Sequence, residues 1–192
     1  MQSEVNIQQT SLSAEEIVLI VDENNVPIGR ATRREVREKN LWHRASYIFV
    51  YNSKGQFYVQ KRSIRKDYCP GYFDLANGGV MGADETDIEN AQRELEEEIG
   101  LKDVELKLLF NCKYRDAGNG VWGNVFGVQY DIDLKDMKLQ EEEVEYIVLL
   151  TREEILSKIQ EGEKFTPDSI MAFKQFIELE EIKEYLDKAY SQ

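Results

Sequence analysis

Residues 78 to 101 read GGVMGADETDIENAQRELEEEIGL, and this stretch decides the fold. Its second half has the marks of a helix from about Asp84 to Ile99. Asp84 is the N-cap candidate, Glu85 and Asp87 supply acids for the first turn, and Gly100 stands where a left-handed stop is favoured. At about 100° per residue, Ile88, Ala91, Leu95 and Ile99 form an apolar stripe. Glu94, Glu97 and Glu98 share an arc of about 100° elsewhere on the cylinder. A solvated acidic face would give the same pattern. Against it, acids in the last turns oppose the helix dipole, and Glu94 with Glu98 is a like-charge pair at i, i+4. A hard divalent cation, Mg²⁺ or Mn²⁺, would relieve both penalties. The Gly78-Gly79 pair allows a backbone carbonyl to approach the same ion.

Outward from this helix, the order of elements is mixed. EEIVLIVDENNVPIGRATR, from Glu15, reads as a β-hairpin turning at Asp22 to Asn25, followed by a short polar helix over Arg33 to Asn40. SYIFVYNSKGQFYVQKRS gives a second hairpin about Asn52-Ser53-Lys54-Gly55. Beyond the acidic helix, strands are expected at about 104 to 115, 121 to 132 and 145 to 151. Two helices should close the chain, one after Thr151 and one behind Thr166-Pro167-Asp168. Residues 1 to 14 are expected to be a flexible tail, and 15 to 192 a single domain.

Lys plus Arg number 24 against 37 Asp plus Glu, a net charge of −13 over 192 residues. General attraction to duplex nucleic acid or anionic lipid is excluded by this field, so an anionic substrate must be met by local cations or metal. Cys69 and Cys112 show no metal-finger or disulfide spacing, no apolar run is long enough to span a bilayer, and the first residues lack the order of a signal peptide. A cytoplasmic location is the expectation.

Gly79, Glu85 and the run Arg93-Glu94-Leu95-Glu96-Glu97-Glu98-Ile99-Gly100-Leu101 resemble a complete Nudix box. The resemblance implies an α+β fold: an α/β/α sandwich around a mixed β-sheet, here with an N-terminal β-hairpin extension. It also implies hydrolysis of a diphosphate linkage, typically in a nucleoside diphosphate joined to another group, by water attack at phosphorus with Mg²⁺ or Mn²⁺. By position, Glu97 and Glu98 would be the main metal ligands, Glu94 a further ligand or the base, and Gly78 would lend its carbonyl. Arg93 and Glu85 would hold the glutamates in place, with Gly79, Glu85 and Gly100 shaping the box. The expected partner is a small anionic diphosphate, and homodimers are common in the family.

HRASYIFVYNSKGQFYVQKRS, 43 to 63, followed by PGYFDLANGG resembles the branch that includes isopentenyl-diphosphate isomerase. The isomerase's catalytic cysteine would fall at Gly78, a metal-binding histidine at Val80, and its later glutamates near Trp122 and Asn124. That chemistry is missing, so a hydrolase is expected; a non-catalytic nucleotide-sensing module and an isomerase are the alternatives. Lys61, Arg62, Arg65 and Lys66 form the dense basic patch and are phosphate-contact candidates, with Lys113 and Arg115 weaker ones. Tyr68, Tyr72, Phe73 and Trp122 read as packing aromatics before a stacking surface. His43, the sole histidine, reads as a structural residue, and Glu141, Glu142, Glu143 and Glu145 as a solvated run from which one acid could serve the site.

Overall fold

The computed structural model describes residues 14 to 191, so the tail expected over 1 to 14 lies outside it but for its last residue. The chain runs β1 (Ile17–Val21), β2 (Pro27–Thr32), α1 (Arg33–Lys39), β3 (Trp42–Tyr51), β4 (Gln56–Arg62) and β5 (Phe73–Asp74). It continues through α2 (Asp87–Ile99), β6 (Leu108–Arg115), β7 (Gly120–Gln129), β8 (Val144–Thr151), α3 (Arg152–Gln160), α4 (Pro167–Phe176) and α5 (Glu180–Tyr190). The N-terminal hairpin β1–β2 forms as expected, with Asn25 in the left-handed region at its turn.

The second hairpin differs from its expectation. β3 and β4 share the register pair Tyr51↔Phe57 beside the turn and then part. β3 instead runs parallel to β7 along its whole length, Trp42↔Gly120 to Tyr51↔Gln129, while β4 pairs antiparallel with β8. The space between the splayed strands is taken by residues 77 to 82. These bond to β3 and β1 through Ile48 N to Asn77 O (2.8 Å), Ser46 N to Gly79 O (3.0 Å), Met81 N to Arg44 O (2.9 Å) and Leu19 N to Met81 O (3.2 Å). The glycine loop of the box is therefore held as a pseudo-strand in the middle of a mixed sheet.

Alternation along β3 sends Ile48 and Val50 to one face and Phe49 and Tyr51 to the other. The first face packs on α2 through Ala91, Leu95 and Ile99. The second packs on α4 and α5 through Phe173, Phe176, Ile182 and Leu186, with Phe49 and Phe176 ring centroids 4.7 Å apart. Helices on both faces make the α/β/α sandwich.

Four local expectations are corrected. Thr86, not Asp84, caps α2. Its hydroxyl accepts from Glu89 N and the Glu89 carboxylate from Thr86 N (2.8 Å), a reciprocal capping box. Asp84 forms an exposed ion pair with Arg30. Ile88 leaves the apolar stripe and is 37% exposed. Lastly a third closing helix, α5, follows α4 after Ile177 to Leu179, and the strand expected from 104 begins at Leu108.

The α1 helix is latched down by charge. Arg33 is 8% exposed and pairs with Asp67 (3.0 Å) and Glu16 (3.3 Å); Arg37 shares the same Asp67 at 3.3 Å. The two guanidinium groups hold the Asp67 carboxyl well below the usual carboxylate range despite its burial. Removing one partner of a buried pair leaves an uncompensated charge, so Asp67→Ala should cost about 3 kcal/mol in urea unfolding. A loss below about 1 kcal/mol would show that α1 is held by other contacts.

Candidate active site

The box helix delivers its three glutamates to two places. Glu94 and Glu98 are buried, 7% and 1% exposed, on the sheet-facing side of α2. Glu98 Oε2 accepts from Gly78 N at 2.7 Å and from Gln60 Nε2 at 3.3 Å. The Glu94 carboxylate covers Gly79, where a Cβ would stand 2.8 Å from both its oxygens, so a side chain there would push the carboxylate aside. Glu97 does not join them. Its side chain is 46% exposed and its carboxylate accepts from Arg93 Nη1 at 2.8 Å. Arg93 also pairs with Glu94 (3.0 Å) and with Glu85, whose carboxylate accepts from Gly82 N (2.9 Å) and Asn90 (3.1 Å). Glu85 and Arg93 thus tie the loop to the helix. Gly100 caps α2 in the left-handed region, φ 75°.

The buried pair is electrostatically incomplete. Burial raises the pKa of both Glu94 and Glu98; the Arg93 charge offsets this in part at Glu94, whereas repulsion from Glu94 adds to the rise at Glu98. Among the described residues, no three acidic, histidine or cysteine side chains converge as a closed metal cage. Mg²⁺ needs no such cage, because it keeps several waters and is commonly held by one or two carboxylates plus substrate phosphates. The donors here are oxygens alone, and no hydrogen bond of the described residues ends on the Gly78 carbonyl. The residues fit a hard divalent cation.

Beside the pair lies a cleft open to solvent, lined by Gly78, Gly79, Ser46, Tyr47, Tyr68, Asn119, Asp74 and Asp168 with the cations Arg33, Arg37, Arg62 and Lys66. Two members of the basic patch, Arg62 and Lys66, reach it. Arg62 is already engaged there, with Asp74 at 2.9 Å and the Tyr68 carbonyl at 2.9 Å, so its charge is shared. Lys61 instead covers the Phe73 ring at 4.3 Å and Arg65 is exposed; neither lines the cleft. Lys113 and Arg115 also lie off it, stacked on Trp42 at 4.9 and 4.6 Å. The cations α1 contributes, Arg33 and Arg37, were absent from the sequence-derived set.

Of the acidic run, Glu143 comes closest to the pair. It is half-buried, joined to Lys66 by an ion pair, and its charge acts on both Glu94 and Glu98. Glu141, Glu142 and Glu145 are exposed. His43 is buried, its ring held by Leu41 O at 3.2 Å, and desolvation with the nearby Arg37 charge lowers its pKa to about 3, so it is neutral. Burial raises both thiols, Cys112 to about 12, and leaves them unreactive. Tyr72 carries Lys164 over its ring and Trp122 carries Lys113; Phe73 packs on Phe165.

A model of the NUDIX domain matches residues 41–191. The chain is 39% identical over 166 residues to a protein of Escherichia coli strain K12 named uncharacterized Nudix hydrolase YfcD, covering 86% of this chain and 89% of that one. It is 35% identical over 163 residues to the Pseudomonas aeruginosa protein named uncharacterized Nudix hydrolase PA4841, covering 85% and 94%. Its fold is similar to the crystal structure of DR0079 from Deinococcus radiodurans, with a TM-score of 0.71 at 22% identity, over 83% of this chain and 98% of that one.

Proposed function

The chain belongs to the Nudix hydrolase family, and from that premise we propose that it cleaves a diphosphate linkage in a small anionic substrate, of the nucleoside-diphosphate type, with Mg²⁺ or Mn²⁺. The observation that carries the reading is the buried Glu94–Glu98 pair beside a cation-lined cleft. Glu94 and Glu98, with the Gly78 carbonyl, would hold the ion, and Glu97 would be drawn to it from Arg93. When bound, the cation neutralises phosphate oxygens and acidifies a coordinated water.

The remaining work falls to side chains. Lys66 and Arg37 bear on the phosphates, α1 and the 63 to 72 loop wall the cleft, and Glu94 or Glu143 takes the proton of water as its oxygen bonds to phosphorus and the bond to the leaving phosphate breaks. Arg93 keeps Glu94 and Glu97 in reach. The reading includes one domain over 15 to 192 and a cytoplasmic enzyme; no described helix is long and apolar enough to cross a membrane. A homodimer is compatible with it. A non-catalytic sensing module would have no use for a buried, mutually repelling carboxylate pair, and an isomerase of this family would need a thiol where Gly78 has no side chain.

Product chromatography across nucleotide sugars, dinucleotides, coenzyme A and prenyl diphosphates, with and without Mg²⁺, tests the function. Ligand-induced thermal shifts without turnover of any compound would favour the sensing module instead.

A pH experiment isolates the carboxylate pair. Glu94 and Glu98 have folded pKa values above the ordinary 4.5, so the folded state binds protons more tightly than the unfolded chain. Their contribution to stability is therefore largest below pH 4.5 and falls as the pH rises through the raised values. Protons and metal compete for the same oxygens, so the thermal shift caused by Mg²⁺ should grow between pH 5 and pH 8, on the order of several degrees by the ordinary linkage relation. Equal shifts at both pH values would mean the ion binds elsewhere.

A further inference from the structure

The cleft has a second carboxylate centre that the metal reading leaves unused. Asp168 follows Thr166-Pro167 at the start of α4, is 7% exposed, and lines the cleft. Its Oδ2 accepts from the Tyr47 hydroxyl at 2.8 Å and from Asn119 Nδ2 at 3.0 Å, and its Oδ1 accepts from Ser169 N at 3.1 Å. An ionised carboxylate offers about four acceptor positions, so one is left over. The arrangement is built rather than incidental. Asn119 Oδ1 is itself held by Arg37 Nη1 at 2.9 Å, which links α1 to α4 across the cleft. The Tyr47 ring occupies the space that Gly123 leaves by lacking a side chain, since a Cβ there would run into the ring.

A second buried polar group in the same cleft also lacks a partner. Ser46 is 2% exposed, and its Oγ finds no hydrogen bond among the described residues. An unsatisfied buried hydroxyl costs about 1 kcal/mol or more, which a ligand's polar group would recover. Together Asp168 and Ser46 offer an acceptor and a donor–acceptor to something entering the cleft.

The chemistry of that ligand follows from the walls. An ammonium group would meet four cations, Arg33, Arg37, Arg62 and Lys66, against two carboxylates, Asp74 and Asp168, and be disfavoured by the balance. A bare hydrocarbon would strip water from those charges and return no hydrogen bonds. A flat base has poor stacking surface, because the Tyr68 ring is covered by Arg37 at 5.3 Å and the Tyr47 ring is buried against Gly123. Hydroxyl groups fit all three constraints. Resting on the hydrolase reading above, we infer that Asp168, set by Tyr47 and Asn119, is a specificity-determining residue that accepts a hydrogen bond from a sugar or polyol hydroxyl on the diphosphate substrate.

The test compares two diphosphates in one enzyme. kcat/KM is measured with Mg²⁺ for ADP-ribose, rich in hydroxyls, and for isopentenyl diphosphate, which has none. Their ratio is taken for the wild type and for Asp168→Asn, Asp168→Ala and Tyr47→Phe, because a ratio cancels any loss of folded enzyme. The wild type should favour ADP-ribose at least tenfold. Both Asp168 variants should lower the ratio at least tenfold, chiefly through KM for ADP-ribose, and Tyr47→Phe should lower it less. A ratio unchanged in all three variants, or a wild type that prefers isopentenyl diphosphate, overturns the inference and leaves the hydrolase reading intact. Absence of turnover of either compound, and of every diphosphate in the wider screen, overturns the hydrolase reading and the inference with it.

Discussion

Glu98→Gln is expected to lower kcat by about a thousandfold or more while raising the melting temperature of the metal-free protein. The two effects have one cause. Glu98 is buried at 1% exposure beside Glu94, and its charged form is disfavoured first by burial and then by that neighbour. A neutral amide removes the repulsion. It also keeps the local geometry, since the Gln oxygen can go on accepting from Gly78 N, now at 2.7 Å from Glu98, and its NH₂ can donate to Glu94. A gain on the order of 1 kcal/mol would appear as roughly 2–4 °C in a chain of this size. Activity fails because an amide is a weak ligand for a hard cation and carries no charge to balance it. Scanning calorimetry without metal, Mn²⁺ titration calorimetry and steady-state kinetics read the three consequences separately. Glu97→Gln gives the contrast: it breaks an exposed pair with Arg93, so metal-free stability should change by less than about 1 kcal/mol. Wild-type turnover in Glu98→Gln would remove the pair from the mechanism.

How far these expectations could be read from sequence depended on the range of the interactions. The box was legible because its glycines, arginine and glutamates act within one loop and one helix, at spacings that survive without knowledge of the fold. Its burial pattern was only partly so: Glu94 and Glu98 go under the sheet and Glu97 stays out with Arg93, a division set by where β3 and residues 77 to 82 lie. The cap moved from Asp84 to Thr86 because Thr86 has Glu89 at the capping-box spacing, a signal present in the sequence and outweighed by the earlier acid. α5 was missed for want of punctuation, since Ile177 to Leu179 contain no Gly, Pro or capping side chain to announce a new helix. Arg33 and Arg37 were hidden for a different reason. In RREVREKN they look like the solvated ends of a short helix, and the carboxylate that buries them, Asp67, lies 34 and 30 residues away. Asp168 showed only as a helix-start signal, its partners Tyr47 and Asn119 being 121 and 49 residues distant.

Gly78→Ala is expected to destabilise the protein by at least about 3 kcal/mol, a fall of roughly 6–12 °C in Tm, and to abolish hydrolysis even in the fraction that remains folded. Gly78 has φ 135°, a region that side chains rarely enter, and a Cβ there would drive into the carbonyl oxygen of Ser46, with Ser46 C only 3.1 Å away. Both obstacles are backbone, so no rotamer change relieves them. The loop would have to lift from β3, loosening the Ile48–Asn77 and Ser46–Gly79 bonds, and with it the Gly78 N–H that holds Glu98. The same geometry bears on the isomerase alternative, whose thiol would need a side chain at this position. Gly78→Cys meets the same Cβ clash before its sulfur is placed, and Val80, where a metal-binding histidine would fall, is buried at 5% exposure in a bridge to Ala45. Introducing the cysteine should therefore lower Tm as much as alanine does and yield no allylic isomer from isopentenyl diphosphate. A folded, isomerising Gly78→Cys protein would show that the loop can leave the sheet without cost, and that the glycine serves the reaction rather than the fold.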